Sequence, residues 1–289
     1  MTSWTDLRAL TRAELAAGGI GPADSEARWM VERVSGHAGA ELTSGEVGPA
    51  TAAATARVRE MVSRRLAGEP LQYVLGEWSF CGLDVYVDHR VLAPRPETEV
   101  TASAAIEEAT RLGLRLGPIA DLGTGSGVIA LALADALPNA EIWATDVSDD
   151  ALRVAAANLS GAGSFATRIR LAQGSWYDAL PEELWGRLGL IVSNPPYVSA
   201  DEHPALPDEV REHEPRQALV AGSSGLEAIA AIVRDAPGWL APCAGIVVEL
   251  APHQAERALT LAREAGLVEA EVRPDLTGRG RVLVARRAG

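Results

Sequence analysis

The sequence reads Ile119-Ala-Asp121-Leu-Gly123-Thr124-Gly125-Ser126-Gly127 near its centre, a short apolar strand that runs into a turn with three alternating glycines. The next ten residues, 128–137, are almost all apolar and are typical of a buried helix. Glycine has no Cβ, so such a turn lets backbone amides and a helix N-terminus approach a ligand closely. A strand, a glycine turn and a helix in this order indicate the first unit of a nucleotide-type α/β domain.

Apolar strands and helical segments alternate beyond this turn. Predicted strands lie at residues 119–122, 140–145, 168–172, 188–193, 245–250, 269–273 and 281–285, and predicted helices at 128–137, 148–159, 226–240 and 254–266. Buried strands with intervening helices predict an α/β fold with a doubly wound, mostly parallel seven-stranded sheet of Rossmann-like type. The ligand crevice of such a sheet lies at the carboxyl ends of its strands.

The part of the chain before this sheet has a different pattern. Residues 1–75 are rich in Ala, Arg and Glu, with leucines at helical spacing, which predicts an N-terminal helical bundle. Leu83, Val85 and Val87 then alternate with polar residues, which predicts a β-hairpin. We therefore expect a helical domain at residues 1–75, a hairpin linker at 76–95 and the α/β domain at 96–289.

Composition excludes several classes of protein. The 289 residues are 47% hydrophobic and contain no apolar run of about 18 residues, so we expect a soluble globular protein that does not associate with membranes. The net charge of −13 weighs against non-specific attraction to nucleic acid. Two cysteines make no disulfide framework, and the N-terminus lacks the pattern of a secretory signal, so we expect a cytoplasmic location.

The glycine turn by itself leaves the ligand open. Val128 occupies the third glycine position of the dinucleotide fingerprint, although a looser Gly/Ala form still fits and keeps a nicotinamide dehydrogenase as an alternative. Asp121 ahead of the glycines suits a ligand that carries an ammonium and a sulfonium, which favours S-adenosylmethionine. Asp146 closes the second strand and can accept hydrogen bonds from ribose hydroxyls of either cofactor, or cap the next helix.

The most informative motif is Asn194-Pro195-Pro196-Tyr197, directly after the fourth predicted strand. Two consecutive prolines make a rigid turn. This turn would present the Asn194 side-chain oxygen and the Pro195 carbonyl as two fixed acceptors for a planar NH₂ group, with Tyr197 against its face. Hydrogen bonds from both N–H groups to these acceptors direct the nitrogen lone pair at a sulfonium methyl. Catalysis would then depend on positioning and electrostatics. The motif alone does not distinguish an amide from an exocyclic amine.

At these residues the chain resembles the class I methyltransferases and, more closely, the PrmC/HemK family of release-factor N5-glutamine methyltransferases. The matching motifs are Gly68-Glu-Pro-Leu-Gln-Tyr73 with Gly76, Pro94-Arg95-Pro-Glu97-Thr-Glu99, the glycine turn, Asp146, Asn194 to Tyr197, and Glu214-Pro-Arg-Gln-Ala-Leu219. The second and the last of these separate the chain from DNA adenine methyltransferases.

The resemblance implies methylation of the side-chain amide nitrogen (N5) of the glutamine in the Gly-Gly-Gln motif of peptide chain release factors. The donor would be S-adenosyl-L-methionine, with S-adenosyl-L-homocysteine as product, and the helical domain would recognise the substrate. Implied cofactor-binding residues are Asp121, Gly123, Thr124, Gly125, Ser126, Gly127, Asp146, Trp176 and Asn194. Implied catalytic and substrate-binding residues are Asn194, Pro195, Pro196 and Tyr197. Arg95 and Glu97 either line the methionine end of the cofactor or the substrate entrance, or belong to a proline turn with Glu97 in the first turn of a helix.

Two alternatives to this function remain. The same acceptors would suit an exocyclic amine of adenine or guanine in RNA or DNA, although the negative charge favours a protein partner without direct nucleic-acid specificity. A silent scaffold with this fold would have no need of the intact Asn-Pro-Pro-Tyr turn.

We expect a monomer. We also expect no metal site, since Glu202, His203 and Asp208 match no ligand template. Residues 199–218 look nearly structureless and suggest a lid over the site that orders when the release factor binds.

Overall fold

Two units make up the chain in the computed structural model, which describes residues 2–43, 47–113 and 116–289. The first unit consists of Met1–Glu77 together with Asp208–His213, and the second of Trp78–Pro207 together with Glu214–Gly289.

The first unit is helical, as the sequence predicts. Its helices are α1 (Trp4–Ala17), α2 (Ala23–Ser35), α3 (Gly39–Thr43), α4 (Ala52–Leu66) and α5 (Leu71–Leu75). The side chains of Ser3 and Thr51 cap α1 and α4 by accepting hydrogen bonds from backbone amides of the first turn. Leu15, Met30 and Val58 are fully buried and form part of the core of this unit.

The predicted hairpin is also present. Strands β1 (Glu77–Phe80) and β2 (Leu83–Tyr86) form a two-stranded sheet. Cys81 and Gly82, which join them, both have left-handed backbone, with φ of 50° and 79°. Two such residues make the tight turn whose twist matches that of the paired strands. Val85 is buried while its neighbours in β2 are more exposed, as the alternation predicts.

The second unit contains the α/β sheet. Its further helices and strands, with the helix α9 of the first unit, are α6 (Pro96–Leu112), β3 (Ile119–Leu122), α7 (Val128–Ala136), β4 (Ile142–Asp146), α8 (Asp149–Gly161), β5 (Ile169–Gln173), β6 (Leu188–Ser193), β7 (Val198–Ser199), α9 (Asp208–His213), α10 (Arg216–Leu219), β8 (Val220–Gly222), α11 (Glu227–Trp239), β9 (Leu240–Glu249), α12 (Ala255–Glu264), β10 (Val268–Pro274) and β11 (Gly280–Arg286). Seven of the strands form one sheet in the order β10-β11-β9-β6-β3-β4-β5. The neighbours from β9 to β5 pair in parallel, whereas β11 pairs antiparallel with both β9 and β10, which confirms the predicted mostly parallel sheet.

Strand order reverses at β3, and this reversal positions the site. Consecutive strands β3, β4 and β5 run outward on one side, and the chain then returns to place β6 on the other side of β3. Asp121 pairs with Val192, so the glycine turn after β3 and the Asn194 turn after β6 start side by side. The Ser193 hydroxyl donates to the Leu122 carbonyl at 2.6 Å and ties the two strand ends together. A crevice at such a switch point is where open α/β sheets bind ligands.

Two features differ from the sequence expectations. The alternative that placed Glu97 in the first turn of a helix is confirmed, since Glu97 lies in the first turn of α6. The rest of α6 was not predicted, because its buried face consists mainly of small or polar residues, among them Thr98, Thr101, Ala102, Ala105 and Ala109. The expectation that residues 199–218 are nearly structureless is wrong. They contain a turn of 3-10 helix at His203–Ala205, helix α9 and most of α10. These helices are only three to six residues long, too short for a periodic apolar pattern.

Candidate active site

A cavity of about 440 Å³ lies at the carboxyl ends of the parallel strands β3, β4, β5 and β6. This volume is in the range of small-molecule sites. Every residue of its lining belongs to the second unit. It brings together eight of the predicted site residues, namely Gly123, Thr124, Gly125, Ser126, Asp146, Trp176, Asn194 and Pro196. The remaining predicted residues, Asp121, Gly127, Pro195, Tyr197, Arg95 and Glu97, do not line it.

The glycine turn requires glycine for two separate reasons. Gly123, Gly125 and Gly127 all have positive φ, of 73°, 55° and 83°, a conformation that is strained for other residues. A Cβ at Gly127 would meet the Cβ of Ala155 in α8 at 3.3 Å, whereas a Cβ at Gly125 would meet nothing within 4 Å. The third glycine thus allows close packing of α7 against α8. The second leaves open space beside the cavity that it lines.

Asp121 lies beneath this turn rather than in the cavity wall. Its side chain is fully buried, and Oδ2 accepts hydrogen bonds from the Thr124 hydroxyl at 2.6 Å and the Ala130 amide at 3.2 Å. Burial raises the pKa of Asp121 to about 7, against these hydrogen bonds, which lower it. The contacts connect β3, the turn and the first helical turn of α7, so Asp121 shapes the cradle from below.

Asp146 lines the cavity at the end of β4. Its two oxygens accept hydrogen bonds from the backbone amides of Gly125 and Ser148, both at 2.9 Å. The side chain of Ser148, not that of Asp146, caps α8. Burial raises the pKa of Asp146, and the backbone hydrogen bonds oppose this. A carboxylate has about four acceptor positions, so two hydroxyl groups of a ligand can still bind here.

Trp176 lines the cavity beside the glycine turn. It follows β5 and has left-handed backbone with φ of 47°, which is unusual for a bulky residue. A Cβ at Gly123 would lie 3.4 Å from Cζ3 of the indole, so the ring packs directly against the glycine turn. A half-buried aromatic face beside backbone amides is suited to stacking with a flat heterocycle.

The Asn194 turn forms the other side of the cavity. Asn194 and Pro196 line it, while Pro195 is buried. The Asn194 side-chain nitrogen donates to the Thr98 hydroxyl at 3.1 Å. Within the described part of the chain, neither the Asn194 side-chain oxygen nor the Pro195 carbonyl accepts a hydrogen bond. Both predicted acceptors are therefore without a partner among the described residues, and of the two residues Asn194 lines the cavity while Pro195 does not.

Gln254 braces this turn from behind. Its side-chain nitrogen donates to the carbonyls of Tyr197 and Gly225, both at 2.9 Å, and its oxygen accepts from the Ala251 amide. Gln254 is almost fully buried, so each of these hydrogen bonds replaces one that water would make.

The Tyr197 phenol is protonated at neutral pH. Burial and then the charge of Glu249 raise its pKa to about 12.

Arg95 and Glu97 hold other parts of the second unit together. One nitrogen of the Arg95 guanidinium contacts both carboxylate oxygens of Glu214, at 2.6 and 2.7 Å, and the Glu214 side chain has no exposed surface. Glu97 lies 4.0 Å from Arg281. The first pair joins the segment 94–99 to the segment 214–219, so two sequence motifs that are far apart along the chain are one structural feature.

Sequence reasoning about individual residues missed part of the lining. Pro94 and Thr98 come from the first of these motifs, and Pro215, Gln217 and Ala218 from the second. Both motifs are among those by which the sequence resembles the PrmC/HemK family. That shared pattern is the signal that could have placed these residues in the cavity wall.

Neither a metal site nor a membrane span is found among residues 2–43, 47–113 and 116–289. No group of three or more His, Cys, Asp or Glu side chains there could hold a metal ion. None of the helices in those ranges combines the length and apolar character needed to cross a bilayer.

Known families and proteins match nearly the whole chain. Residues 6–76 match the PrmC N-terminal domain and residues 103–214 the methyltransferase small domain. A release factor glutamine methyltransferase of Geobacter sulfurreducens is 38% identical over 285 residues, covering 98% of this chain and 97% of that protein. One of Bordetella pertussis is 42% identical over 258 residues, covering 89% and 92%. This chain belongs to the release factor glutamine methyltransferase family.

The fold of this family member is shared with more distant enzymes. A methyltransferase from Pyrococcus furiosus has a TM-score of 0.51 at 17% identity, over 83% of this chain and all of that one. A T. thermophilus 16S rRNA methyltransferase, solved with AdoMet and guanosine, has a TM-score of 0.51 at 19% identity, over 73% of this chain and 49% of that one. At such identities the likeness concerns the fold alone. The chain is thus a methyltransferase with a class I fold, as its motifs predict.

Proposed function

We propose that this methyltransferase transfers a methyl group from S-adenosyl-L-methionine to the side-chain amide nitrogen (N5) of the glutamine in the Gly-Gly-Gln motif of peptide chain release factors. The observation that carries the proposal is that the Asn194 turn and the glycine turn share one cavity, where the Asn194 side-chain oxygen accepts no hydrogen bond from the described residues. The names of the full-length relatives support the choice of substrate.

The cavity fits the proposed cofactor in two respects. Gly125 leaves space where a side chain would intrude, and Asp146 keeps acceptor positions for ribose hydroxyls. The backbone of residues 123–126 would hold the methionine portion, and Trp176 would pack against the adenine. When bound, S-adenosyl-L-methionine supplies an electrophilic methyl group and becomes S-adenosyl-L-homocysteine.

The chain activates the glutamine by position rather than by a strong base. The Asn194 oxygen and the Pro195 carbonyl accept hydrogen bonds from the two N–H groups of the glutamine amide. These hydrogen bonds localise the nitrogen lone pair and aim it at the methyl carbon. The nitrogen–carbon bond forms as the sulfur–carbon bond breaks, and the nitrogen then releases one proton to water. Among the residues that line the cavity in the described chain there is no histidine, lysine or cysteine, in agreement with a mechanism that needs no such base.

The first unit would recognise the release factor, because it carries no group of the reaction while the cavity lies wholly in the second unit. This substrate also implies a cytoplasmic location. We propose that the enzyme acts as a monomer.

Transfer of labelled methyl groups tests the proposal. Purified enzyme with labelled S-adenosyl-L-methionine should modify a release factor, and peptide mapping should find the label on the glutamine of its Gly-Gly-Gln motif. A release factor with that glutamine replaced by alanine is the matched control and should stay unlabelled. Labelling of RNA or DNA in place of the release factor would contradict the proposed substrate.

A further inference from the structure

Buried polar side chains continue from Asn194 into the interior of the second unit. The Asn194 side-chain nitrogen donates to the Thr98 hydroxyl at 3.1 Å. One helical turn further along α6, the Thr101 hydroxyl donates to Oε2 of Glu249 at 3.1 Å. Thr98 is 3% exposed, and Thr101 and Glu249 are completely buried. Residues three apart on a helix share one face, so the two threonine hydroxyls lie on the side of α6 that faces Glu249.

The chemistry of these groups gives the hydrogen bonds a direction. An ionised carboxylate can only accept, whereas a hydroxyl donates one proton and also accepts. If Thr98 donates its proton toward Glu249, its oxygen can only accept from Asn194, and the NH₂ end of the Asn194 amide must turn to Thr98. The amide oxygen then points the other way, toward the cavity that Asn194 and Thr98 both line.

The surroundings of Glu249 leave an acceptor for the Thr98 proton. Oε1 of Glu249 is buried and has no hydrogen-bond partner among the described residues, while Thr101 holds Oε2 from the same face of α6. Burial raises the pKa of Glu249 to about 7, so above this pH the carboxylate is ionised and can only accept. A buried acceptor without a partner gains a hydrogen bond if Thr98 donates to it.

We propose that Thr98, oriented by Glu249, is a positioning residue that makes the oxygen rather than the nitrogen of the Asn194 amide face the substrate. The proposal rests on the proposed function, because the oxygen matters only if the guest presents an N–H bond. An amide turned the other way would oppose two N–H donors and lose the bond that aims the nitrogen.

Substitutions that change the Thr98 hydroxyl and the volume of its side chain separately test the proposal. Thr98→Val keeps the buried shape and removes the hydroxyl, so kcat for methyl transfer to the release factor should fall about tenfold or more, with KM for S-adenosyl-L-methionine little changed. Thr98→Ser restores the hydroxyl and should recover most of kcat. Thr101→Val removes the hydroxyl that binds Glu249 at 3.1 Å and leaves the contact between Thr98 and Asn194 in place, so the loss of kcat should stay below about threefold.

A double-mutant cycle shows whether Thr98 acts through Asn194. In the Asn194→Ala background, Thr98→Val should lower kcat little further, because the group that it orients is absent. Equal losses from Thr98→Val in both backgrounds would overturn the proposal. Equal losses in Thr98→Val and Thr98→Ser would do the same, since packing and not the hydroxyl would then be responsible.

A measurement that requires no methyl transfer distinguishes this proposal from the proposed function. The side-chain NH₂ resonances of Asn194, assigned by their disappearance in Asn194→Ala, should shift and exchange faster with water in Thr98→Val than in the wild type or Thr98→Ser. Should the wild type methylate no release factor, the proposed function fails and these resonances alone decide the orientation. Identical Asn194 resonances in the wild type and Thr98→Val would overturn the positioning role.

Discussion

Asp121 and Asp146 show how two acidic residues at neighbouring strand ends acquire different tasks. Asp146 keeps contact with the cavity, whereas Asp121 is covered by the turn that it supports. The sequence placed both at the cofactor, because both lie at the carboxyl ends of strands that finish at one edge of the sheet. What separates them is burial, which depends on how Thr124 and the start of α7 fold back over the first strand.

Asp121 should make stability depend on pH. Burial raises its pKa to about 7 from the ordinary 3.8, so in this interval the folded protein binds a proton that the unfolded chain has released. Stability of the wild type therefore falls as pH rises through the interval. Asp121→Asn, which is neutral throughout, should be more stable than the wild type near about pH 8, by at most about 4 kcal/mol, and this advantage should shrink toward about pH 4.

Thermal unfolding across this pH range, without cofactor, measures the effect. Asp135→Asn is the control, because it makes the same change at an exposed position of α7 and should show no such trend. A constant loss of stability in Asp121→Asn at every pH would show that the carboxylate is stabilising and that its pKa is not raised.

Sequence reasoning at this scale found the residues with a recognisable local motif and missed those that act across the chain. Asn194 and Asp146 follow predicted strands, so their position could be inferred. Thr98 and Gln254 contact the Asn194 turn from positions 96 and 57 residues away from their partners. Such partners depend on the tertiary fold, and a single sequence gives no local signal for them.

At the scale of elements, the strand, turn and helix around Gly123 were predictable because each has a strong local pattern. β3 and β6 were predicted with their observed ends, since both are continuous buried runs bounded by turn residues. Helix α6 was missed for the opposite reason. Its buried alanines and threonines are small or polar and give no periodic pattern of large apolar residues, although the helix packs against strands β6, β9 and β11.

The glycine turn allows a prediction that separates stability from ligand binding. Gly125→Ala and Gly127→Ala should each lose about 1–3 kcal/mol of stability, because alanine is strained at positive φ. Gly127→Ala should lose more, since its Cβ presses on Ala155 in α8 at 3.3 Å. Gly125→Ala should instead weaken S-adenosyl-L-methionine binding more strongly, because Gly125 lines the cavity and Gly127 does not.

Denaturant unfolding and titration calorimetry of the two variants measure both effects side by side. If Gly125→Ala proved the less stable of the two, or if Gly127→Ala bound the cofactor more weakly, the division of roles within the turn would be wrong.

At the scale of the whole molecule, two separate segments of the chain belong to the first unit. Helix α9 belongs to that unit although the residues before and after it belong to the second. Within the first unit, Arg65 of α4 binds Glu26 of α2 at 2.8 Å and Glu209 of α9 at 2.8 Å. The sequence suggested neither contact, because Glu26 and Glu209 lie 39 and 144 positions from Arg65 and no local pattern joins them.

Arg65 should therefore matter far more to stability than Glu209. Arg65→Met keeps the apolar stem but leaves the Glu26 carboxylate, which is 3% exposed, buried without its partner, and should lose about 3 kcal/mol or more. Glu209→Gln removes a partner that is 37% exposed and should lose less than about 1 kcal/mol. Urea unfolding of both variants compares them, and equal losses would contradict the burial that distinguishes the two pairs.

The central claim is that the Asn194 amide holds the glutamine while other residues hold the cofactor, and Asn194→Ala tests it most directly. Methyl transfer to the release factor should fall by about a hundredfold or more in kcat, while the Kd for S-adenosyl-L-methionine, measured by calorimetry, should change far less. An Asn194→Ala enzyme that methylates the release factor at the wild-type rate would contradict the account.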